Sequence, residues 1–211
     1  SLWSLLKNDE LWIAAYKKLA NSPGALTRGS NTETIDGYSL KILKTIKEKV
    51  MKHKYYFKAS RRVFIPKPQG GSRPLSIPTF RDRVVQEVIR AILQTIFEPK
   101  FSQYSHGFRP GRSQQSCIKQ IRRDFRGTQW FIEGDISKCF DEINHENLIK
   151  IIEMHINDRR FVKLIKIGLR TKIMMHDKKI ERSIKGAPQG GVCSPLLANI
   201  ILNRLDSFMN R

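Results

Sequence analysis

FIEGDISKCFD, residues 131–141, is the stretch on which the reading of this chain turns. Residues 129–136 alternate as a strand does, with Trp130, Ile132 and Ile136 on one side and Phe131, Glu133 and Asp135 on the other. Asp135 closes that run with no His, Cys or Ser at catalytic spacing. A nucleophile-based hydrolase is thereby disfavoured, and metal binding is left as the natural use of the carboxylate. Magnesium prefers hard oxygen ligands and takes one or two carboxylates plus substrate phosphates. Two such ions, about 3.5–4 Å apart, can clamp the attacking and leaving oxygens of an in-line phosphoryl displacement. The backbone carbonyl of Ile136 can serve the second ion. Phe140, five residues beyond Asp135, would then lie under the sugar of a bound nucleotide, where an aromatic ring leaves no room for a 2′-hydroxyl. Taken alone the D-x-x-x-x-F spacing is weak, and a turn-capping Asp135 with a core-filling Phe140 is its commoner use.

Three further segments carry candidate chemistry. In FIPKPQGGSRPLSIPT (64–79), Lys67 and Arg73 flank a turn that Gly70 and Gly71 allow to fold tightly. Across a hairpin both cations can reach one polyphosphate, Lys as a point charge and Arg as a planar fork. No G-x-x-x-x-G-K-[ST] pattern is present, so this is not a Walker loop. KGAPQGGVCSPLLANIILNRLD (185–206) places Gln189 in a glycine-rich turn before a helix, where its amide can both donate and accept. SHGFRPGRS (105–113) presents His106, Arg109 and Arg112 on a Gly/Pro loop suited to tracking a nucleic-acid backbone, with Phe108 free to pack or stack. Each segment read alone is also compatible with a solvated hairpin, a connector or a structural loop.

The rest of the chain supplies the frame. Helices are expected over 2–20, 38–53, from Thr79 to about Ile96, from Ser113 to about Arg126, at 145–156, at 159–170, and onward from Ser194. Residues 61–66 and a strand through Leu75 and Ile77 form a hairpin, and HDKK (176–179) turns a second one. This mixture is an α+β fold. The 211 residues carry 39 Lys and Arg against 19 Asp and Glu, a formal +20 spread over every element. Such a charge points to a polyanion, nucleic acid before membrane, because neutralised phosphates release condensed counterions. No apolar run reaches the length of a bilayer span. Three cysteines without C-x-x-C spacing argue against a disulfide framework or zinc site and suit a reducing compartment.

In this order along one chain, the segments resemble the successive reverse transcriptase blocks of group II intron-encoded proteins. KPQGGSRPLSIPTFRDRVVQEVI resembles the fingers hairpin and following helix, and SHGFRPGRS the next block. Trp130–Asp141 resembles the first palm motif, and GAPQGGVCSPLLANIILNRLD the block before the second. NSPGALTRGSNTETIDG (21–37) resembles the extra amino-terminal loop shared with non-LTR retrotransposons. The resemblance implies a right-hand polymerase: an amino-terminal extension at 1–60, fingers at 61–128 and a partial palm at 129–211. It implies RNA-templated DNA synthesis with Asp135 as catalytic metal ligand, two Mg2+ ions, and Ile136 beside them. Lys67 and Arg73 would grip the deoxynucleoside triphosphate, Phe140 would gate its sugar, and Gln189 would line its pocket. Expected partners are group II intron RNA and an RNA template with a DNA primer, bound through Arg28, His106, Arg109 and Arg112. The expected setting is bacterial cytoplasm or mitochondrial matrix; a homodimer is left open. The aromatic–small–Asp–Asp turn of the second palm motif does not occur in these residues, so residues 1–211 by themselves are expected to bind RNA without polymerising. A splicing maturase that binds RNA and has lost polymerisation is the competing reading, and a related bacterial reverse transcriptase working in defence is a third.

Overall fold

The computed structural model describes residues 1–211 apart from Gln69, Ile184, Pro188, Gln189, Asn210 and Arg211. Its helices are α1 (Leu2–Leu5), α2 (Asp9–Ala20), α3 (Leu40–Met51), α4 (Phe80–Phe97), α5 (Gln114–Asp124), α6 (His145–Glu153), α7 (Arg159–Leu169) and α8 (Ser194–Met209). The strands are β1 (Ser60–Pro66), β2 (Ser72–Ile77), β3 (Ile173–Met174) and β4 (Ile180–Glu181), in the sheet order β2-β1-β3-β4. The expected helix over 2–20 is two helices. Asn8 interrupts it by accepting from the Glu10 N–H, and the freed Leu6 carbonyl accepts from Trp12 Nε1 at 2.9 Å.

The 18-residue helix α4 organises everything else. Thr79 caps it, accepting from the Asp82 N–H, and Val84, Val85, Val88, Ile92 and Leu93 form its buried stripe. Asp82 is itself buried and accepts from Tyr55 Oη (2.6 Å), Thr79 Oγ1 (2.7 Å) and the Lys58 N–H (3.1 Å). Burial nonetheless pushes its carboxyl above the ordinary range, the three donors acting in the opposite sense. The carboxylate thus ties the chain entering β1 to the amino terminus of α4. One hydrophobic cluster runs from Trp3 through α4 to Ile200, so the proposed extension, fingers and palm segments share a core.

β1 and β2 pair antiparallel with Ile65 opposite Arg73 and Val63 opposite Leu75, as the two alternating runs predict. β1 also pairs parallel with β3, and β3 antiparallel with β4 around the 176–179 turn. The expected strand at 129–136 is not formed. Those residues have no regular secondary structure and are exposed, with Trp130 at 87% and Ile132 at 100% exposure. Alternation describes a chain able to line one side of a sheet, but a strand also needs a neighbour, and among the described residues none pairs with it.

Candidate active site

The hairpin places Lys67 and Arg73 on one face. Arg73 stands opposite Ile65 in the register, and Lys67 continues the alternation two residues on, its N–H donating to the Gly71 carbonyl at 3.0 Å. Gly70 (φ +89°) and Gly71 (φ +76°) adopt the left-handed backbone that the tight turn requires. Both cations are exposed, projecting where a polyphosphate could reach them.

The loop of residues 185–193 carries the GAPQGG motif onto that face. Gly190, at φ +95°, lies so close to β2 that a Cβ there would sit 2.7 Å from the Ser76 carbonyl oxygen and 2.8 Å from Leu75 Cδ1. Leu75 shares its face with Arg73, so the loop and the cations border one space. Gln189 lies outside the described residues, immediately before this contact. On leaving the hairpin the loop is fixed to α4: the Val192 N–H donates to Gln86 Oε1 (2.9 Å) and Cys193 Sγ to the Gln86 carbonyl (2.8 Å). Burial pushes the Cys193 thiol far up, which keeps it a neutral donor.

At its other end the same loop clamps the turn that bears Phe140. The Ala187 N–H donates to the Phe140 carbonyl (2.8 Å) and the Gly186 N–H to the Ile143 carbonyl (2.7 Å). Gly186, at φ +87°, is required here, since a Cβ would meet the Asp141 carbonyl oxygen at 2.8 Å. Buried His145 donates from Nε2 to the Gly186 carbonyl (2.7 Å), and Lys185 pairs with Glu142 (2.6 Å). Phe140 is half-buried against the core, and Phe108 meets it edge-to-face with ring centroids 6.4 Å apart. Four separate sequence segments therefore converge on one region.

Asp135 lies on the unpaired 129–136 segment, exposed, with Ile136 half-exposed beside it. The Asp135 charge is felt at Cys139, whose thiol is raised first by burial and then by that carboxylate. The Asp135 carboxylate and the Ile136 carbonyl are hard oxygen donors open to solvent, a set that fits magnesium with substrate phosphates completing its shell. Among the described residues no group of three or more His, Cys, Asp or Glu side chains could hold a metal.

The 105–113 loop corrects one expectation. Arg109 is not free for nucleic acid: its side chain is 7% exposed, pairs with Glu98 (2.9 Å), donates to the Ser102 and Ser105 carbonyls (2.6 and 2.8 Å) and lies over the Phe101 ring. A planar five-donor group cross-links the loop's own carbonyls, so it shapes the loop rather than tracking a backbone. The His106 ring is likewise engaged, Nδ1 with Ser116 Oγ and Nε2 with Gln120 Oε1, both at 2.7 Å. Arg112 donates to the Gln103 carbonyl and lines a cleft of about 470 Å³ with Lys119 and Arg123. Arg28 is exposed, and its carbonyl accepts from Arg61, which fastens the 21–37 loop to β1. Gln86, His145 and Asn199, whose Nδ2 donates to the Gly107 carbonyl (2.8 Å), support the site without any local sequence signal. Their partners lie tens of residues away.

Residues 65–211 match the family described as reverse transcriptase (RNA-dependent DNA polymerase). The chain is 41% identical over 209 residues to the group II intron-encoded protein LtrA of Lactococcus lactis subsp. cremoris, covering 99% of this chain and 35% of that protein. It is 40% identical over 209 residues to the putative COX1/OXI3 intron 1 protein of Saccharomyces cerevisiae, covering 99% and 25% respectively. Among solved structures it is similar to a partial Cas6-RT-Cas1–Cas2 complex, with a TM-score of 0.60 at 24% identity over 100% of this chain and 35% of that one. At that identity the likeness concerns fold alone. The chain thus spans 25–35% of the length of these curated relatives.

Proposed function

Given that the chain belongs to the reverse transcriptase (RNA-dependent DNA polymerase) family, we propose that it forms the fingers (61–128) and partial palm (129–211) of a group II intron-encoded reverse transcriptase. The parent protein would copy an RNA template from a DNA primer and bind its own intron RNA during splicing and retrohoming. The observation that carries this reading is the seating of the GAPQGG loop. One loop touches β2 through Gly190 and holds the Phe140 carbonyl through Ala187, which unites the polyphosphate grip with the sugar-facing ring.

In that reading Lys67 and Arg73 take the incoming triphosphate, each charge-assisted hydrogen bond contributing about 1.5–3 kcal/mol. Phe140 closes the space beside the sugar 2′ position, and Gln189 borders the same pocket. Asp135 and the Ile136 carbonyl would hold Mg2+, which supplies neutralisation of phosphate charge and polarisation of the reacting oxygens. Intron RNA contacts are assigned to Arg28 and to the cleft of Arg112, Lys119 and Arg123, His106 serving to position that cleft. No helix among the described residues is long and apolar enough to cross a membrane. Bacterial cytoplasm or mitochondrial matrix is the proposed setting, since one relative comes from the bacterium Lactococcus lactis and another is named a mitochondrial intron maturase of Arabidopsis thaliana.

Primer extension by the full-length protein on an RNA template tests the proposal. Asp135→Asn is expected to abolish synthesis while RNA affinity changes less than twofold. Retained synthesis would remove the metal role. Absence of synthesis by the unaltered full-length protein, with intact intron RNA binding, would favour a splicing-only maturase.

A further inference from the structure

Phe108 combines three features that core packing does not explain. It is 75% exposed, although it is a large aromatic residue. Its backbone is left-handed at φ +56°, a conformation that bulky L residues rarely adopt and that persists only when the surroundings enforce it. The enforcement is visible on both sides. The Gly107 carbonyl is held by Asn199 of α8, and the guanidinium of Arg109 is locked by Glu98 and by the Ser102 and Ser105 carbonyls. The loop is thus pinned before and after Phe108, and the strained residue between the pins projects its ring against Phe140. The two rings meet at 6.4 Å and 79°, the edge-to-face geometry favoured by aromatic quadrupoles. Among the described residues, Phe140 is held through its carbonyl, which accepts from the Ala187 N–H. Its ring is half-buried, and Phe108 is the aromatic neighbour among the described residues that meets it.

We propose that Phe108 is a positioning residue for sugar discrimination, bracing the Phe140 ring so that it stays under the nucleotide 2′ carbon. This rests on the reading of Phe140 as the sugar gate. The strain at residue 108 then has a purpose: a relaxed backbone would turn the ring away from Phe140. Phe108 acts through Phe140 and does not touch the nucleotide in this assignment. Losing the brace frees the gate ring without removing it, so the effect is smaller than losing Phe140.

The experiment measures kcat/KM of the full-length protein for a ribonucleotide and its deoxynucleotide in primer extension. Variants are Phe108→Ala, Phe108→Leu, Phe108→Tyr, Phe140→Ala and the Phe108→Ala/Phe140→Ala double. Phe108→Ala is expected to raise relative ribonucleotide use roughly 2- to 10-fold, the range of one aromatic pair. Deoxynucleotide KM should move little. Phe108→Leu should be intermediate, and Phe108→Tyr should restore discrimination. In the Phe140→Ala background, Phe108→Ala should add nothing, since the ring it braces is gone. Unchanged discrimination in Phe108→Ala, alongside a large rise in Phe140→Ala, overturns the brace and leaves the gate standing. An additive double variant also overturns it, because Phe108 would then act independently. If neither single variant moves discrimination, the gate reading itself fails. Because Phe108 is exposed, the Leu and Tyr variants keep the comparison among folded proteins.

Discussion

Replacing Gly190 with alanine probes the contact that unites the site. A Cβ at residue 190 would lie 2.7 Å from the Ser76 carbonyl oxygen, and about 0.7 Å of retreat is needed to reach the 3.4 Å of ordinary contact. The obstacle is backbone of a paired strand, with Ser76 opposite Arg62, so it cannot rotate aside as a flexible side chain would. Either the loop lifts or the hairpin tilts, and both separate Arg73 and Lys67 from the loop and Phe140. A 1 Å misplacement of reacting groups costs on the order of 10²-fold in rate, so a shift of this size should lower kcat/KM for deoxynucleotides by roughly 10- to 100-fold. Alanine at φ +95° also costs about 1–2 kcal/mol of backbone strain, and a control must separate that from the displacement. Gly127 provides it: φ is +78°, and a Cβ there meets nothing within 4 Å. Gly127→Ala should lose similar stability, a fall in unfolding midpoint of about 2–8 °C for a chain of this size, while nucleotide KM stays at the parent value. Steady-state primer extension with varied dNTP and thermal unfolding of both full-length variants make the test. Equal nucleotide kinetics for Gly190→Ala and Gly127→Ala would refute the claim that the loop-to-hairpin seat sets the site.

Other expectations follow from particular side chains. Arg109→Gln should destabilise the fold by about 3 kcal/mol by stranding Glu98, with little change in the salt slope of RNA binding. Arg112→Gln should leave stability unchanged and reduce that slope by about one counterion, as filter binding at graded salt would read. At Asp158, burial acts to raise the carboxyl, but donors from Ser1 Oγ and the Trp3, Phe161 and Arg160 N–H groups outweigh it and hold it at about 2. A depressed carboxylate contributes stability that is complete above its unfolded value of 3.8 and disappears as pH falls through about 2. Acid unfolding curves of parent and Asp158→Asn should therefore differ above pH 4 and converge toward pH 2; a constant offset across that range would contradict the assignment. Hydrogen exchange should find the amides of 129–136 unprotected and those of Gly186, Ala187 and Val192 slow, because only the latter donate to fixed acceptors. Protection at Ile132 or Glu133 would show a strand pairing that the described chain lacks.

Local chemistry in the sequence accounts for the elements that were anticipated. The β1–β2 hairpin is announced by two alternating runs around Gly70-Gly71, and α4 by its Thr79 cap and apolar stripe. Both are set by neighbours in sequence. The parallel β1–β3 pairing is not, since Ser60 and Ile173 are more than a hundred residues apart and β3 has only two residues to show. The break in the first helix depends on Asn8 and on the Leu6 carbonyl finding Trp12, a choice that periodicity alone does not make. Among the proposed site residues, Lys67, Arg73 and Phe140 are candidates by residue type and spacing. Arg109 misled for a physical reason. An arginine on a Gly/Pro loop looks the same in sequence whether its donors meet phosphate or the loop's own carbonyls, and only the positions of Ser102, Ser105 and Glu98 decide.

The two halves of the candidate site differ in what holds them. Lys67, Arg73 and Phe140 stand on elements held in place by the hairpin ladder, the close approach of Gly190 to β2, the Ala187 and Gly186 donors, and the Gln86 anchor on α4. Their backbones are therefore set before a nucleotide arrives, which leaves the exposed Lys67 and Arg73 side chains to be ordered, at about 0.5–1.5 kcal/mol each. Asp135 and Ile136 lie on a segment with neither ladder nor burial, so placing two oxygen donors for a metal requires that segment to be ordered first. Fixing backbone costs about 1–2 kcal/mol per residue, and eight residues of strand outweigh any single carboxylate contact. Whatever pairs with 129–136 must supply that free energy through its own ladder and by covering Trp130, Phe131 and Ile132. In the proposed reading, the nucleotide-facing residues are held by the folded core, whereas the metal-facing residues depend on a partner for 129–136.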